Sequence, residues 1–305
     1  MQRASLTLPS HRRPDFGALV ELLKPITWFP PMWAFGCGVV SSGQSLAAQP
    51  GTVLLGVILA GPLVCGASQV VNDWFDREVD AINEPHRPIP SGRVPGQRAL
   101  VFAIAWTGLS LLVGSLLGPW VLAATALGLA LAWAYSAPPL RLKMNGWWGN
   151  AAVGLSYEGL AWVTGAAVML GGAMPAWQVL LVAGLYSAGA HGIMTLNDFK
   201  SLEGDLRMGV RSLPAQLGPR PAARLACLVM AAPQLVVIAL LAAWDAPVQA
   251  AVVALLLGLQ CLAMRRLLRD PRAFAPWYNG VGVTLYVLGM LVSAFALRGF
   301  AGGIA

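Results

Sequence analysis

Asn72-Asp73-Trp74-Phe75-Asp76-Arg77-Glu78-Val79-Asp80 closes an apolar stretch that carries no charge from Pro25 onward. A second run, Asn197-Asp198-Phe199-Lys200-Ser201-Leu202-Glu203-Gly204-Asp205, closes another apolar stretch. With the nearby Glu84, the two runs hold eight of the thirteen acidic residues. Carboxylates are costly at a membrane boundary, so their concentration there marks a site, and clustered oxygens are natural ligands for a hard divalent cation.

The boundary belongs to a membrane because of the sequence around it. The chain is 57% hydrophobic and 11% charged, with a mean hydropathy of +0.66, well outside the composition of soluble domains. Residues 25–72 and 99–140 contain no charge, and residues 225–264 contain only Asp245. Each block is about twice the ~20 residues that a spanning helix needs, so each predicts a helical hairpin. Turn chemistry marks the breaks: Ser41 to Gly51, Leu117-Gly118-Pro119-Trp120, Gly171-Gly172-Ala173-Met174-Pro175 and Trp244-Asp245-Ala246-Pro247. The expected spans are 25–42, 52–72, 99–117, 119–136, 149–170, 176–197, 224–243, 247–264 and 277–297. The fold class is therefore all-α, a polytopic membrane bundle of nine helices. Residues 1–24 form an N-terminal segment, 25–298 a single domain and 299–305 a short tail.

Basic residues give an orientation, since short cytoplasmic loops are rich in Lys and Arg. Nineteen of the twenty fall before the first span or after the even-numbered ones, leaving only Arg298. This predicts a cytoplasmic N-terminus and places both acidic runs on the cytoplasmic side. Anionic lipid accounts for the net charge of +7 without nucleic acid. No cleavable signal is expected before the first span. Cys37, Cys65, Cys227 and Cys261 are dispersed in apolar spans and serve as small packing residues.

If the second span stays helical past Asn72, then Asn72, Asp76 and Asp80 fall at i, i+4 and i+8, with Asp73 beside them. Asp198, Ser201 and Asp205 are spaced i, i+3 and i+7 and would form a similar stripe. Two such faces across a cavity would hold one or two Mg²⁺ ions, which favour a few carboxylates plus water and substrate phosphate oxygens. An isoprenoid diphosphate suits such a cavity, offering an anionic head to the metal and a lipid tail to the bilayer.

The Asn-x-x-x-Asp-x-x-x-Asp pattern of Asn72, Asp76 and Asp80, continued by Arg87-Pro88-Ile89-Pro90-Ser91-Gly92, resembles the UbiA superfamily of intramembrane prenyltransferases. Tyr135-Ser136 with Lys143 resembles that superfamily's third motif. Asp80 to Gly92, Lys24 to Trp28 and Asn197 to Asp205 are similar to the chlorophyll and bacteriochlorophyll synthases. Gly189 to Leu196 and Pro276 to Gly280 look most like the bacteriochlorophyll branch. The resemblance implies transfer of a geranylgeranyl or phytyl group from its diphosphate to the propionate of bacteriochlorophyllide, with Mg²⁺ as cofactor. It implies Asp73, Asp76, Asp80, Asp198 and Asp205 as catalytic carboxylates, which together with Asn72 would bind the metal. Arg87, Tyr135, Ser136, Arg141, Lys143 and Arg211 would bind substrate. One departure stands out: Ser201 occupies the place of the first Asp of the superfamily's second motif. Either Asp198 substitutes for it or Asp205 works with fewer partners.

Two lone residues join the candidates. Glu158 is an intramembrane ionisable group in the fifth span, a functional candidate by default. His191 in the sixth could ligate a pigment's central magnesium or hydrogen-bond its ring, by analogy with haem ligation. Trp28, Trp33, Trp74 and Trp162 are candidates for stacking on a macrocycle. A secondary transporter fits poorly, because nine spans divide badly into equal repeats. A UbiA-type enzyme acting on chlorophyllide, a quinone precursor or haem is the nearer alternative. A product so insoluble also suggests delivery to pigment-protein assembly factors, within the inner or intracytoplasmic photosynthetic membrane.

Overall fold

The computed structural model describes residues 15–300. Most of the expected N-terminal segment, residues 1–14, and residues 301–305 of the tail lie outside the described residues.

Helices make up the fold, and the sole β-bridge among the described residues pairs Asn145 with Arg211. Helix α1 (Phe16–Leu23) and a 3-10 turn at Pro25–Thr27 precede α2 (Phe29–Ser41). Helices α3 (Pro50–Ile58) and α4 (Gly66–Asn83) are joined without a break by a π-helical segment, Leu59–Cys65. After the hairpin of α5 (Gly96–Leu117) and α6 (Pro119–Ser136), α7 (Gly146–Gly154) and α8 (Ala161–Met169) are joined by a second π segment, Leu155–Leu160. Helix α9 (Trp177–Asn197) is followed by the short α10 (Leu202–Met208) and α11 (Leu213–Leu217). Three long helices complete the bundle: α12 (Pro219–Ala243), α13 (Pro247–Leu267) and α14 (Pro271–Ala296).

The breaks follow from local chemistry. Helices α3, α6, α12, α13 and α14 each begin with proline, whose missing N–H costs nothing at the first helical position. Gly118 has φ 122° and Gly172 φ 84°, and a Cβ on either would fall within 2.6 Å of the other's Cα. Only glycine lets these two turns meet.

Seven helices among the described residues are long and apolar enough to cross a membrane. Two of the nine expected spans are not among them. One is α2, whose 13 residues extend about 20 Å. Its expected first turn is taken by the 3-10 turn Pro25–Thr27, which follows the left-handed Lys24 (φ 45°). The other is the run 146–169, whose apolar character is diluted by Asn150, Ser156, Tyr157 and Glu158. These two runs nonetheless pack at the heart of the bundle. Helix α2 crosses α8 backbone to backbone at Gly38 and Gly165, where a Cβ would come within 2.1 Å of the opposite carbonyl oxygen. Small residues allow that approach where no water drives helices together. Trp162 Nε1 then donates to Ser41 Oγ at 3.1 Å, closing the crossing with a hydrogen bond.

Candidate active site

Helix α4 runs unbroken from Gly66 to Asn83, so Asn72, Asp76 and Asp80 do share a stripe. Each aspartate of this run faces a cation. Lys24 Nζ lies 2.6 Å from Asp73, Lys143 Nζ 2.5 Å from Asp76 and Arg87 Nη1 2.8 Å from Asp80. Arg141 and Arg87 add longer pairs of 3.7 Å to Asp76 and Asp73. Asn72 Oδ1 accepts from Lys143 Nζ at 3.1 Å and from Ser136 Oγ at 3.2 Å, which ties the third motif to the first. Burial draws the Lys143 ammonium below the ordinary lysine range, against the opposing pull of Asp76. Lys24 and Arg141 both have positive φ, 45° and 40°. Such backbone is costly for residues with a Cβ and collects at functional sites.

The second run is built differently from the expected stripe. Helix α9 stops at Asn197, a 3-10 turn covers Asp198–Lys200 and α10 starts afresh at Leu202. A 3-10 turn brings residues i and i+3 onto one face, so Asp198 and Ser201 stay aligned although the helix is interrupted between them. Asp198 Oδ2 accepts from Asn150 Nδ2 at 3.2 Å, and Asp205 Oδ2 accepts from Ser201 Oγ at 3.2 Å. Ser201 thus orients the neighbouring carboxylate.

The two runs approach one cavity through Asn72 of the first and Asn197 and Lys200 of the second, with Tyr135 beside them. This cavity, of about 460 Å³, opens into the bundle. Asn72, Tyr135, Asn197 and Lys200 stand at its acidic end and Glu158 lines it deeper, between walls that are mostly apolar. Arg211 is exposed, but its backbone joins the site's loops: its N–H donates to Met144 O at 3.0 Å and its carbonyl accepts from Gly146 N at 2.8 Å. His191 does not line the cavity, and its Nε2 lies 3.2 Å from the Trp147 carbonyl. Nor do Trp28, Trp33, Trp74 or Trp162 line it; Trp162 is fully buried against Tyr186. Lys24, Gln69 and Asn197 were not singled out from the sequence. The Lys24 to Trp28 and Asn197 to Asp205 segments pointed to two of them, whereas Gln69 carried no signal.

The donor set suits a hard cation, since every acidic ligand offers oxygen and Asn72 adds an amide oxygen. Among the described residues no three Asp, Glu, His or Cys side chains form a ready cage.

A model of the UbiA prenyltransferase family matches residues 27–288. The chain is 59% identical over 297 residues to the bacteriochlorophyll synthase 33 kDa chain of Cereibacter sphaeroides, covering 97% of this chain and 98% of that one. It is 37% identical to the chloroplastic chlorophyll synthase of Arabidopsis thaliana, over 91% of this chain and 73% of that one. Among solved structures, a UbiA homolog from Archaeoglobus fulgidus bound to DMAPP and Mg²⁺ superposes with a TM-score of 0.70 at 18% identity, covering 90% of this chain and 99% of that one.

Proposed function

Because the chain belongs to the UbiA prenyltransferase family, we propose that it esterifies the propionate of bacteriochlorophyllide with a geranylgeranyl or phytyl group, the last assembly step of bacteriochlorophyll. The observation that carries this reading is that Asn72 of the first acidic run and Asn197 and Lys200 of the second line one largely apolar cavity together with Tyr135. The 59% identity to a bacteriochlorophyll synthase, against 37% to a chlorophyll synthase, favours the bacteriochlorin as acceptor.

Asn72, Asp73, Asp76 and Asp80, with Asp198 and Asp205, would hold Mg²⁺. When bound, the ion supplies a Lewis acid that stabilises charge on the departing pyrophosphate. Lys143, Arg141 and Arg87 already stand against the carboxylates and share that charge; Lys24 joins them, and Arg211 is tied to the adjoining loop by its β-bridge to Asn145. The bond from the allylic carbon to the diphosphate oxygen breaks as the carbon bonds to the propionate oxygen, and pyrophosphate leaves with the electron pair. A propionate is already ionised at neutral pH, so no general base is needed. Apolar walls keep water from competing for the allylic carbon.

The bundle crosses the bilayer as a multi-pass protein. The nineteen basic residues support a cytoplasmic acidic end in the inner or intracytoplasmic membrane, with nine crossings counting α2 and 146–169. A role for pigment-protein assembly factors in product release belongs to the same reading.

The test is to incubate purified protein with Mg²⁺, geranylgeranyl diphosphate and either bacteriochlorophyllide or chlorophyllide, following the ester by chromatography. Ester from the bacteriochlorin, abolished by EDTA, is expected. Prenylation of a quinone precursor or haem, with neither pigment esterified, would leave the family and overturn the acceptor.

A further inference from the structure

Glu158 is 7% exposed, lines the cavity, and its Oε2 has no hydrogen-bond partner. It forms no ion pair among the described residues. It lies eight residues beyond Asn150, whose side chain bonds Asp198, and so about 12 Å deeper along the helix axis. The adjacent Tyr157 is satisfied: its hydroxyl accepts from Gln69 Nε2 at 3.0 Å and from Cys65 Sγ at 3.3 Å. That clasp joins the two π segments, Leu59–Cys65 and Leu155–Leu160, which both line the cavity. Single π turns in α-helices concentrate at functional sites. A buried polar group is ordinarily paired, so a carboxyl left open toward a cavity marks a place for a polar group that arrives with a ligand.

A prenyl chain cannot supply that group. Beyond its diphosphate it is hydrocarbon, and it would leave the carboxyl as unpaired as before. On the functional reading above, the other substrate is a largely apolar ring with oxygen-bearing substituents on its edge. The facing wall leaves room for such a body, because α6 presents Ala124, Gly128 and Ala132 at i, i+4 and i+8.

We infer that the deep part of the cavity receives the acceptor's ring, that Glu158 hydrogen-bonds a polar substituent on the ring's edge, and that the donor's hydrocarbon chain does not pass Glu158. Glu158 is then a specificity-determining residue.

The test uses full-length Glu158→Leu and Glu158→Gln in detergent. Bacteriochlorophyllide binding is titrated by quenching of tryptophan fluorescence without diphosphate, and KM is measured for each substrate. In Glu158→Leu the pigment Kd should rise about tenfold, as for one lost hydrogen bond that leaves its partner unpaired, with the KM for geranylgeranyl diphosphate unchanged. Glu158→Gln keeps a donor and an acceptor in place and should stay within about threefold of the parent. The melting temperature of Glu158→Leu should hold or rise, because an unpaired buried carboxyl is removed. An unchanged pigment Kd in Glu158→Leu overturns the inference, as does a parallel rise in the diphosphate KM, which would put the prenyl chain there. A lowered melting temperature with both substrates weakened would make Glu158 structural. If the parent protein esterifies no pigment, the functional reading itself fails; if parent and Glu158→Leu esterify it equally well, only this inference does.

Discussion

The two acidic runs border one cavity yet are held in opposite ways. On α4, an unbroken helix, each aspartate is matched to a cation: Lys24, Lys143 or Arg87. Beyond α9 the helix breaks, and Asp198 and Asp205 are held by neutral donors, Asn150 and Ser201. The first run is thus a charge-compensated unit, whose cations can turn to an incoming diphosphate. The second is fixed in place by dipoles rather than by paired cations. Loss of charge should therefore have different structural costs in the two runs, even where both lose activity.

The sharpest contrast comes from paired substitutions. Asp76→Asn should lower kcat/KM for ester formation about a thousandfold, and the melting temperature should fall as well because half-buried Lys143 loses its counter-charge and keeps only amide oxygens, those of Asn72 and the new side chain. Asp198→Asn should cost activity about a hundredfold, yet leave the melting temperature unchanged or higher, since an amide still accepts from Asn150. Equal destabilisation by the two changes would erase the distinction between the runs. Lys24→Met should destabilise by about 2 kcal/mol in denaturant titration, because Asp73 is 3% exposed and keeps only the 3.7 Å pair with Arg87. Ser201→Ala removes one hydrogen bond from Asp205 and should lower activity a few-fold; a loss as large as that of Asp198→Asn would make Ser201 itself a ligand.

Arg93→Ala is the smallest change, at a distance from both runs. Arg93 forms two hydrogen bonds to Glu21, at 2.7 and 2.9 Å, and these hold the Glu21 carboxyl below the ordinary glutamate range. A lowered folded-state value stabilises above the unfolded value and is lost as pH falls through the folded one. Activity should not change, and the variant's melting curve should separate slightly from the parent's at neutral pH and rejoin it in acid.

Much of this architecture could be read along the chain. Charge-free blocks and Gly-Pro turns located the hairpins, and helix α12 ends at Ala243 and α13 begins at Pro247, bracketing the expected turn. The stripe on α4 followed from helical spacing alone. What escaped depends on partners distant in sequence or on backbone details that hydropathy does not record. Lys24 and Asp73 are 49 residues apart, so nothing local announces their pairing. Gly38 and Gly165 look like any glycines of an apolar helix until two backbones meet. The 3-10 turn after Asn197 leaves composition unchanged while interrupting the helix that carries the second run. The same holds for α2, where the turn at Pro25–Thr27 shortens a helix whose hydropathy alone suggested a full span.

The two π segments also bear on how this protein can change over generations. A π turn closes its hydrogen bonds one residue further along than an α turn, so it accommodates one residue that an α-helix would not. Deleting a single residue within Leu155–Leu160 would let the ladder close as ordinary helix while α7 and α8 keep their positions on either side. The bundle would survive and the cavity wall would be redrawn. A single-codon loss there would thus reshape the wall beside Glu158 with the helix crossings that hold the bundle together left as they were.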